Sequence, residues 1–130
     1  MNGVERSGAH VDFALEGSVP PIRRARGWIV DNVSDLGPAK LLDLLLIADA
    51  LLTNAFEHAA APRRLRLSRG DGRVVRVEVH DASPELLPVL GRPGGRGTRD
   101  RGLLLVNRLA SRWGIDPGSG HKAVWGEVAG

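Results

Sequence analysis

Ala48-Asp49-Ala50-Leu51-Leu52-Thr53-Asn54-Ala55-Phe56-Glu57-His58-Ala59 is the stretch on which the fold turns. Its apolar residues recur at helical spacing, which predicts an amphipathic helix running from about Ala39 to Ala60. At about 100° per residue, Leu41, Leu44, Leu45, Ala48, Leu51, Leu52, Ala55 and Ala59 form a core stripe. Ala50, Asn54, Glu57 and His58 fall on another face. Asn disfavours helix interiors because its amide competes for backbone hydrogen bonds, so Asn54 asks for a reason. Its carbonyl oxygen can serve a hard cation such as Mg²⁺, which takes few protein ligands beside phosphate oxygens. It can equally bridge a neighbouring loop.

Working outward, His10 to Leu15 alternates as a short strand. Gly17-Ser18-Val19-Pro20-Pro21 then suits a helix entry with Ser18 as cap, and a helix is expected over Ile22 to Leu36, stopped by Gly37-Pro38. Beyond the main helix, strands over Leu65 to Ser68 and Val74 to His80 are joined by Asp71-Gly72, a strong hairpin signal. The chain reads as irregular from Ala82 to Asp100, rich in Pro and Gly, and resumes as a helix from Arg101 to about Trp113-Gly114. A final hairpin pairs Gly114–Asp116 with Lys122–Val128 through Pro117-Gly118-Ser119-Gly120. Strands that come in hairpins disfavour a doubly wound parallel sheet. The expectation is an α+β, two-layer helix/sheet sandwich with a mixed, mostly antiparallel sheet.

The 130 residues suit one domain with a single core. With no Cys, disulfides, thiolate catalysis and Cys-based zinc sites are excluded. No run approaches the roughly 18 apolar residues of a membrane span, and the N-terminus has no signal-peptide core, so a cytoplasmic protein with no membrane contact is expected. Net charge is only +3, and all the basic residues but Lys40 and Lys122 are Arg, scattered along the chain. With three Trp, two Phe and no Tyr, the charge lacks the concentrated stripe and interleaved aromatics of a nucleic-acid binder.

Two more segments carry chemistry. Val77-Glu78-Val79-His80-Asp81-Ala82-Ser83-Pro84 is a strand ending in a carboxylate. Asp81 can accept from an exocyclic amine, the contact that tells adenine from guanine, or form an Asx-turn with Ser83. The glycine-rich loop delivers the chain to Arg101-Gly102-Leu103, where a helix N-terminus offers free N–H groups to phosphate. Arg99 and Arg101 can add charge there; a plain surface loop is the other reading. The P-loop motif is absent, Gly118 to Ala123 mimics a dinucleotide fingerprint but opens a strand, and the four His show no metal-ligand spacing.

Taken in order, these pieces resemble the histidine-kinase-like ATPases, and within them the anti-sigma-factor serine/threonine kinases. The resemblance is carried by Ala50-Leu51-Leu52-Thr53-Asn54-Ala55-Phe56-Glu57-His58, by Asp81-Ala82-Ser83-Pro84, by Asp100-Arg101-Gly102-Leu103, and by His121-Lys122-Ala123-Val124-Trp125. It implies Mg-ATP bound under a lid over 84–100. Asn54 would hold Mg²⁺, Asp81 would read adenine, and His58, Ser83, Arg99, Arg101, Gly102, Leu103 and Ala123 would complete the nucleotide site. It implies protein partners, a sigma factor and an anti-sigma-factor antagonist, and homodimers of the kind family members form. Three departures stand out. The family's general-base Glu is Ala50, its first lid glycine is Asp100, and the Thr that supports the adenine-reading Asp is Ala123. A missing base forfeits a factor of about 10²–10⁴ in phosphoryl transfer. Two functions therefore stand side by side: a partner-switching kinase, and a relative that binds without turnover.

Overall fold

The computed structural model describes residues 9–85 and 97–129, and side chains in the last helix from residue 103 onward. Five strands and three helices follow the order β1 (His10–Leu15), α1 (Ile22–Asn32), α2 (Pro38–His58), β2 (Arg63–Arg69), β3 (Val74–Asp81), α3 (Gly97–Leu109), β4 (Arg112–Pro117) and β5 (Lys122–Ala129). The strands form one sheet of order β1-β2-β3-β5-β4. All four ladders are antiparallel, so the mixed pairing for which the sequence left room is not found among the described residues.

One face of the sheet meets the helices. Phe13, Leu65, Val79 and Val124 stand across one row of the ladders and Leu67, Val77 and Gly126 across the next, as the two-residue period requires. Leu65, Val77 and Val79 are essentially sealed from solvent. Opposite them lie Ala25 and Ile29 of α1, Leu44, Ile47, Leu51 and Leu52 of α2, and Leu103 and Val106 of α3. Each such aliphatic side chain contributes about 1.5–3 kcal/mol by leaving water. Gly126 permits the close approach of α2: a Cβ there would stand 2.9 Å from Ile47 Cγ2. Phe13 meets Trp28 of α1 with ring centroids 5.4 Å apart.

The main helix, the Asp71-Gly72 hairpin and the closing hairpin fall where the sequence places them, and Gly72 takes the positive φ of +69° that its turn needs. Several boundaries shift. Ser18 is not the cap of α1; Pro21 is, without a side-chain bond. That helix ends at Asn32 rather than Leu36, because the chain turns to bond Leu36 N–H to the Val33 carbonyl at 3.0 Å. Val33 and Leu36 still fill the core. Gly37-Pro38 opens α2 instead of merely closing α1, with Pro at the first helical position where its missing N–H is harmless. The α3 helix begins at Gly97, a turn ahead of Arg101, and ends at Leu109. There Ser111 donates both N–H (2.8 Å) and Oγ–H (3.1 Å) to the Glu127 carbonyl, which draws the chain into the sheet and makes Trp113-Gly114 part of β4. Among the described residues no helix is long and apolar enough to cross a membrane.

Candidate functional site

The helix-facing side of the sheet is apolar until its last row. There Arg63 opens β2, Asp81 closes β3 and Lys122 opens β5. Asp81 and Lys122 are direct cross-strand partners, and both are removed from water, at 2% exposure each. Lys122 Nζ donates to Asp81 Oδ1 at 2.8 Å and to the Ser83 carbonyl at 2.8 Å. The same Oδ1 accepts the Ser83 N–H at 2.8 Å, so the Asx-turn reading of Asp81 is realised. No described residue donates to Oδ2.

This polar row is fastened to the end of α2. Ser83 Oγ accepts the Ala60 N–H at 2.8 Å, and the Ala82 N–H donates to the Ala60 carbonyl at 3.0 Å. Arg63 donates to the Ala59 carbonyl at 2.7 Å while its guanidinium lies 4.2 Å from the Phe56 ring centroid. A cation at a helix C-terminus suits the partial negative charge of the last carbonyls. Three hydrogen bonds and one ring contact thus fix the neighbouring ends of β2 and β3 against the end of the helix that carries Asn54 and His58.

Asn54 is half-buried, and its amide makes no hydrogen bond to a described residue, so the core does not employ it. His58 Nε2 is buried without a hydrogen-bond partner and lies 3.4 Å from Glu57 Oε1. Ala50 is 8% exposed and belongs to the core, against the reading that set it on the polar face. Its burial and that of Ile47 follow from α2 lying between α1 and α3, which widens the apolar arc. Asp49 is occupied: Arg26 of α1 grips its carboxylate with Nε at 3.1 and 3.2 Å and Nη2 at 2.7 Å.

Leu103 is fully buried in the core. Arg99, Asp100, Arg101 and Gly102 lie in the first turns of α3, not in a loop. Most of the expected 84–100 lid lies outside the described residues, apart from Pro84, Glu85 and the start of α3. Ala123 pairs across the ladder with His80, on the opposite side of the sheet from Asp81, so Ala123 is not the neighbour of that carboxylate. The neighbour is Lys122, which the sequence reading passed over. Its signal was present: in β5, positions 122, 124, 126 and 128 share one face, and a lone cation there among Val124, Gly126 and Val128 asks for a buried partner.

The opposite side of the sheet is built of ion pairs, some half-exposed, as Arg64 with Asp12, and some largely covered, as Arg76 with Glu127. Arg66 binds Asp12, Arg76 binds Glu127 at 2.6 Å and approaches Glu78 at 3.6 Å, and His80 Nε2 lies 2.7 Å from Glu78 Oε1. Arg76 also covers the Trp125 ring at 3.8 Å from its centroid. Burial pushes the Glu78 carboxyl up, but the bond and charge of His80, with Arg76 and Arg66, bring it below its ordinary value. The Asp12 carboxyl is likewise lowered, by its bond from Arg66 above all. A cleft of about 680 Å³ opens at the Asp81 end of the sheet, lined in part by Asp12, Arg64, His80, Asp81 and His121. Among the described residues no three His, Asp or Glu side chains gather as a metal centre.

An antiparallel sheet under one helical layer, with a buried Asp at the end of an inner strand and an unemployed Asn on the central helix, is the plan of a histidine-kinase-like ATP-binding domain. A model of the histidine kinase-like ATPase domain matches residues 14–125, and the chain belongs to that family. It is similar to an uncharacterized protein of Streptomyces coelicolor, 36% identical over 84 residues that make up 61% of this chain and 78% of that protein. It is also similar in structure to the RsbU and RsbW domains of Rv1364c from Mycobacterium tuberculosis, with a TM-score of 0.66 at 17% identity. That match covers 91% of this chain and 31% of the larger structure, so this chain spans about a third of it. At that identity the likeness is one of fold.

Proposed function

We propose that this protein is an ATP-binding regulator of the anti-sigma-factor kinase type, acting in the cytoplasm by partner switching between a sigma factor and its antagonist. The observation that carries the reading is the fastening of the Asp81 strand end to the last turn of the Asn54 helix through Ala60, Ala82 and Ser83. It holds the strand end that carries the buried acceptor against the end of the helix that carries the unemployed amide, in a chain whose family is one of ATPase domains.

The residues suit the ligand. Asp81 Oδ2 is the acceptor for the purine amine, and Ser83 holds the Asp81 loop in place through its own amide and hydroxyl. The Asn54 amide oxygen is one Mg²⁺ ligand; the others come from phosphate and water, which is why no acidic cluster is needed. The first turn of α3, which begins at Gly97 ahead of Arg99, Arg101 and Gly102, offers free N–H groups to phosphate. Bound ATP supplies the transferable phosphoryl group and Mg²⁺ neutralises its charge. Calorimetric titration with Mg-ATP tests the site: the wild type binds, and Asp81→Ala and Asn54→Ala each weaken binding tenfold or more. No heat with the wild type refutes the reading.

Turnover is a separate question, and two observations favour binding without it. Residue 50 is an Ala packed in the core, and the adjacent Asp49 is held by Arg26, so neither position supplies a general base. The protein on this reading controls its partners by occupancy rather than by fast phosphorylation. Labelled phosphate transfer to an antagonist protein should stay near background in the wild type and rise in Ala50→Glu. Transfer by the wild type equal to that of Ala50→Glu defeats this second reading and leaves the first intact.

A further inference from the structure

We propose that Lys122 is the positioning residue that sets the purine choice of this site, by committing one oxygen of Asp81 and leaving the other to read the 6-position of the base. The proposal rests on the ATP-binding reading above. A carboxylate has two oxygens and about four lone-pair sites. In this protein Oδ1 accepts both Lys122 Nζ and the Ser83 N–H, each at 2.8 Å, while no described residue donates to Oδ2. Lys122 is itself held by the Ser83 carbonyl, and its side chain is only 3% exposed, so the ammonium has little freedom to leave.

Three consequences follow from that division of labour. The carboxylate plane is fixed from one side, which leaves Oδ2 as the oxygen available to a ligand. With a cation beside it, the group is an acceptor and not a donor. A 6-amino purine offers an N–H to such an acceptor, whereas a 6-oxo purine brings a lone pair against it and leaves buried polar groups unpaired. Discrimination by a hydrogen bond of this kind is the strong sort, because the wrong ligand strands the polar group instead of merely fitting loosely. Lys122 also stands where the register calls for support of Asp81, since Ala123 is turned to the other side of the sheet.

Inosine triphosphate is the discriminating probe, since it keeps the sugar and phosphates of ATP and exchanges the 6-amino group for a 6-oxo group. Calorimetric Kd values for the Mg complexes of both should give a preference for ATP of about tenfold or more in the wild type. Lys122→Arg keeps a cation and should keep most of that ratio. Lys122→Met removes it: Asp81 loses the donor that commits Oδ1 and fixes the carboxylate plane, so the ratio should collapse to within about threefold. Asp81→Asn gives a second, independent reading. Its amide oxygen stays with Lys122 and the Ser83 N–H, its NH₂ is presented to the base, and the preference should invert toward inosine triphosphate.

Lys122→Met that melts cooperatively by circular dichroism yet keeps the wild-type ratio overturns the proposal. So does Asp81→Asn that still prefers ATP, and this variant decides the matter if Lys122→Met does not fold. A wild type that binds neither nucleotide overturns the function proposed above and this inference with it. A wild type that binds ATP with a ratio indifferent to Lys122 overturns the inference alone.

Discussion

The two sides of the sheet handle charge in opposite ways. The outer side carries many ions, Asp12, Arg64, Arg66, Arg76, Glu78 and Glu127 among them, in pairs that keep partial contact with water. The inner side buries one pair, Lys122 and Asp81, at 3% and 2% side-chain exposure. Half-exposed pairs are inexpensive to form and contribute at most about 1 kcal/mol each. A fully buried pair carries a desolvation penalty of several kcal/mol per ion, and hydrocarbon of similar volume often stabilises a fold better. The half-exposed ions of the outer side therefore need no explanation beyond solubility and sheet pairing, and the more deeply set Glu127 is shared between Arg76 and the exposed Arg112. The inner pair does, and a ligand that needs a fixed acceptor is the explanation its position supports.

The sharpest way to break this contrast is to remove one member of the inner pair and then both. Lys122→Met should lower unfolding free energy by about 3–5 kcal/mol, because it strands a buried carboxylate. Lys122→Met with Asp81→Leu should recover that loss and can exceed the wild type by about 1–4 kcal/mol, while ATP binding is abolished. Urea unfolding measures both. A single-variant loss below about 1 kcal/mol would make the inner pair no different from the outer ones.

A second prediction concerns how tightly the inner layer is packed. Gly126→Ala places a Cβ 2.9 Å from Ile47 Cγ2, on a core side chain with 0% exposure and no room to withdraw. Overpacking of this kind costs about 1–3 kcal/mol. The cost of Gly126→Ala should shrink in an Ile47→Ala background, where Cγ2, the atom that the new Cβ meets, is gone. Chemical denaturation of the two variants separates a steric cause from a loss of strand propensity.

The same contrast sorts what the sequence could and could not tell. The α2 helix and the Asp71-Gly72 hairpin were legible because their signals are local: a 3.6-residue period and a turn dipeptide. The burial of Asp81 could only be guessed, since its partner lies 41 residues away and pairing requires the β3–β5 register. That register is also what moved Ala123 away from Asp81 and brought Lys122 to it. Ala50 was misplaced by a helical wheel that assumes one buried face, whereas α2 has neighbours on two sides. The end of α3 was set by a tertiary bond from Ser111 to Glu127 that overrides the helical pattern continuing through Trp113.

The outer side should reveal itself in acid. The Glu78 carboxyl is held below its ordinary value of 4.5 by His80, Arg76 and Arg66, which together outweigh the opposing push of burial. A carboxyl lowered on folding adds stability that is complete above its unfolded value and lost as pH falls through the lower folded one. Unfolding free energy should thus be flat near neutrality and fall below about pH 4.5. Glu78→Gln should lower the plateau by about 1 kcal/mol and make the acid limb shallower. An unchanged acid limb in Glu78→Gln would assign that limb to other carboxyls, Asp12 first among them.

The smallest effect is expected at Arg26 and Asp49, and it bears on function more than on stability. Their side chains are 42% and 25% exposed, with contact at 2.7 Å, so a double-mutant cycle with Arg26→Ala and Asp49→Ala should give a coupling of about 0.2–1 kcal/mol. That modest bond nonetheless ties Asp49 to α1 and directs it away from service as a base. If it is only a brace, Asp49→Ala should leave both ATP affinity and background phosphate transfer unchanged. A fall in transfer with Asp49→Ala, at unaltered affinity, would show that the carboxylate does chemistry after all. In that case the buried ion pair would no longer be the part of this molecule that most distinguishes function from scaffolding.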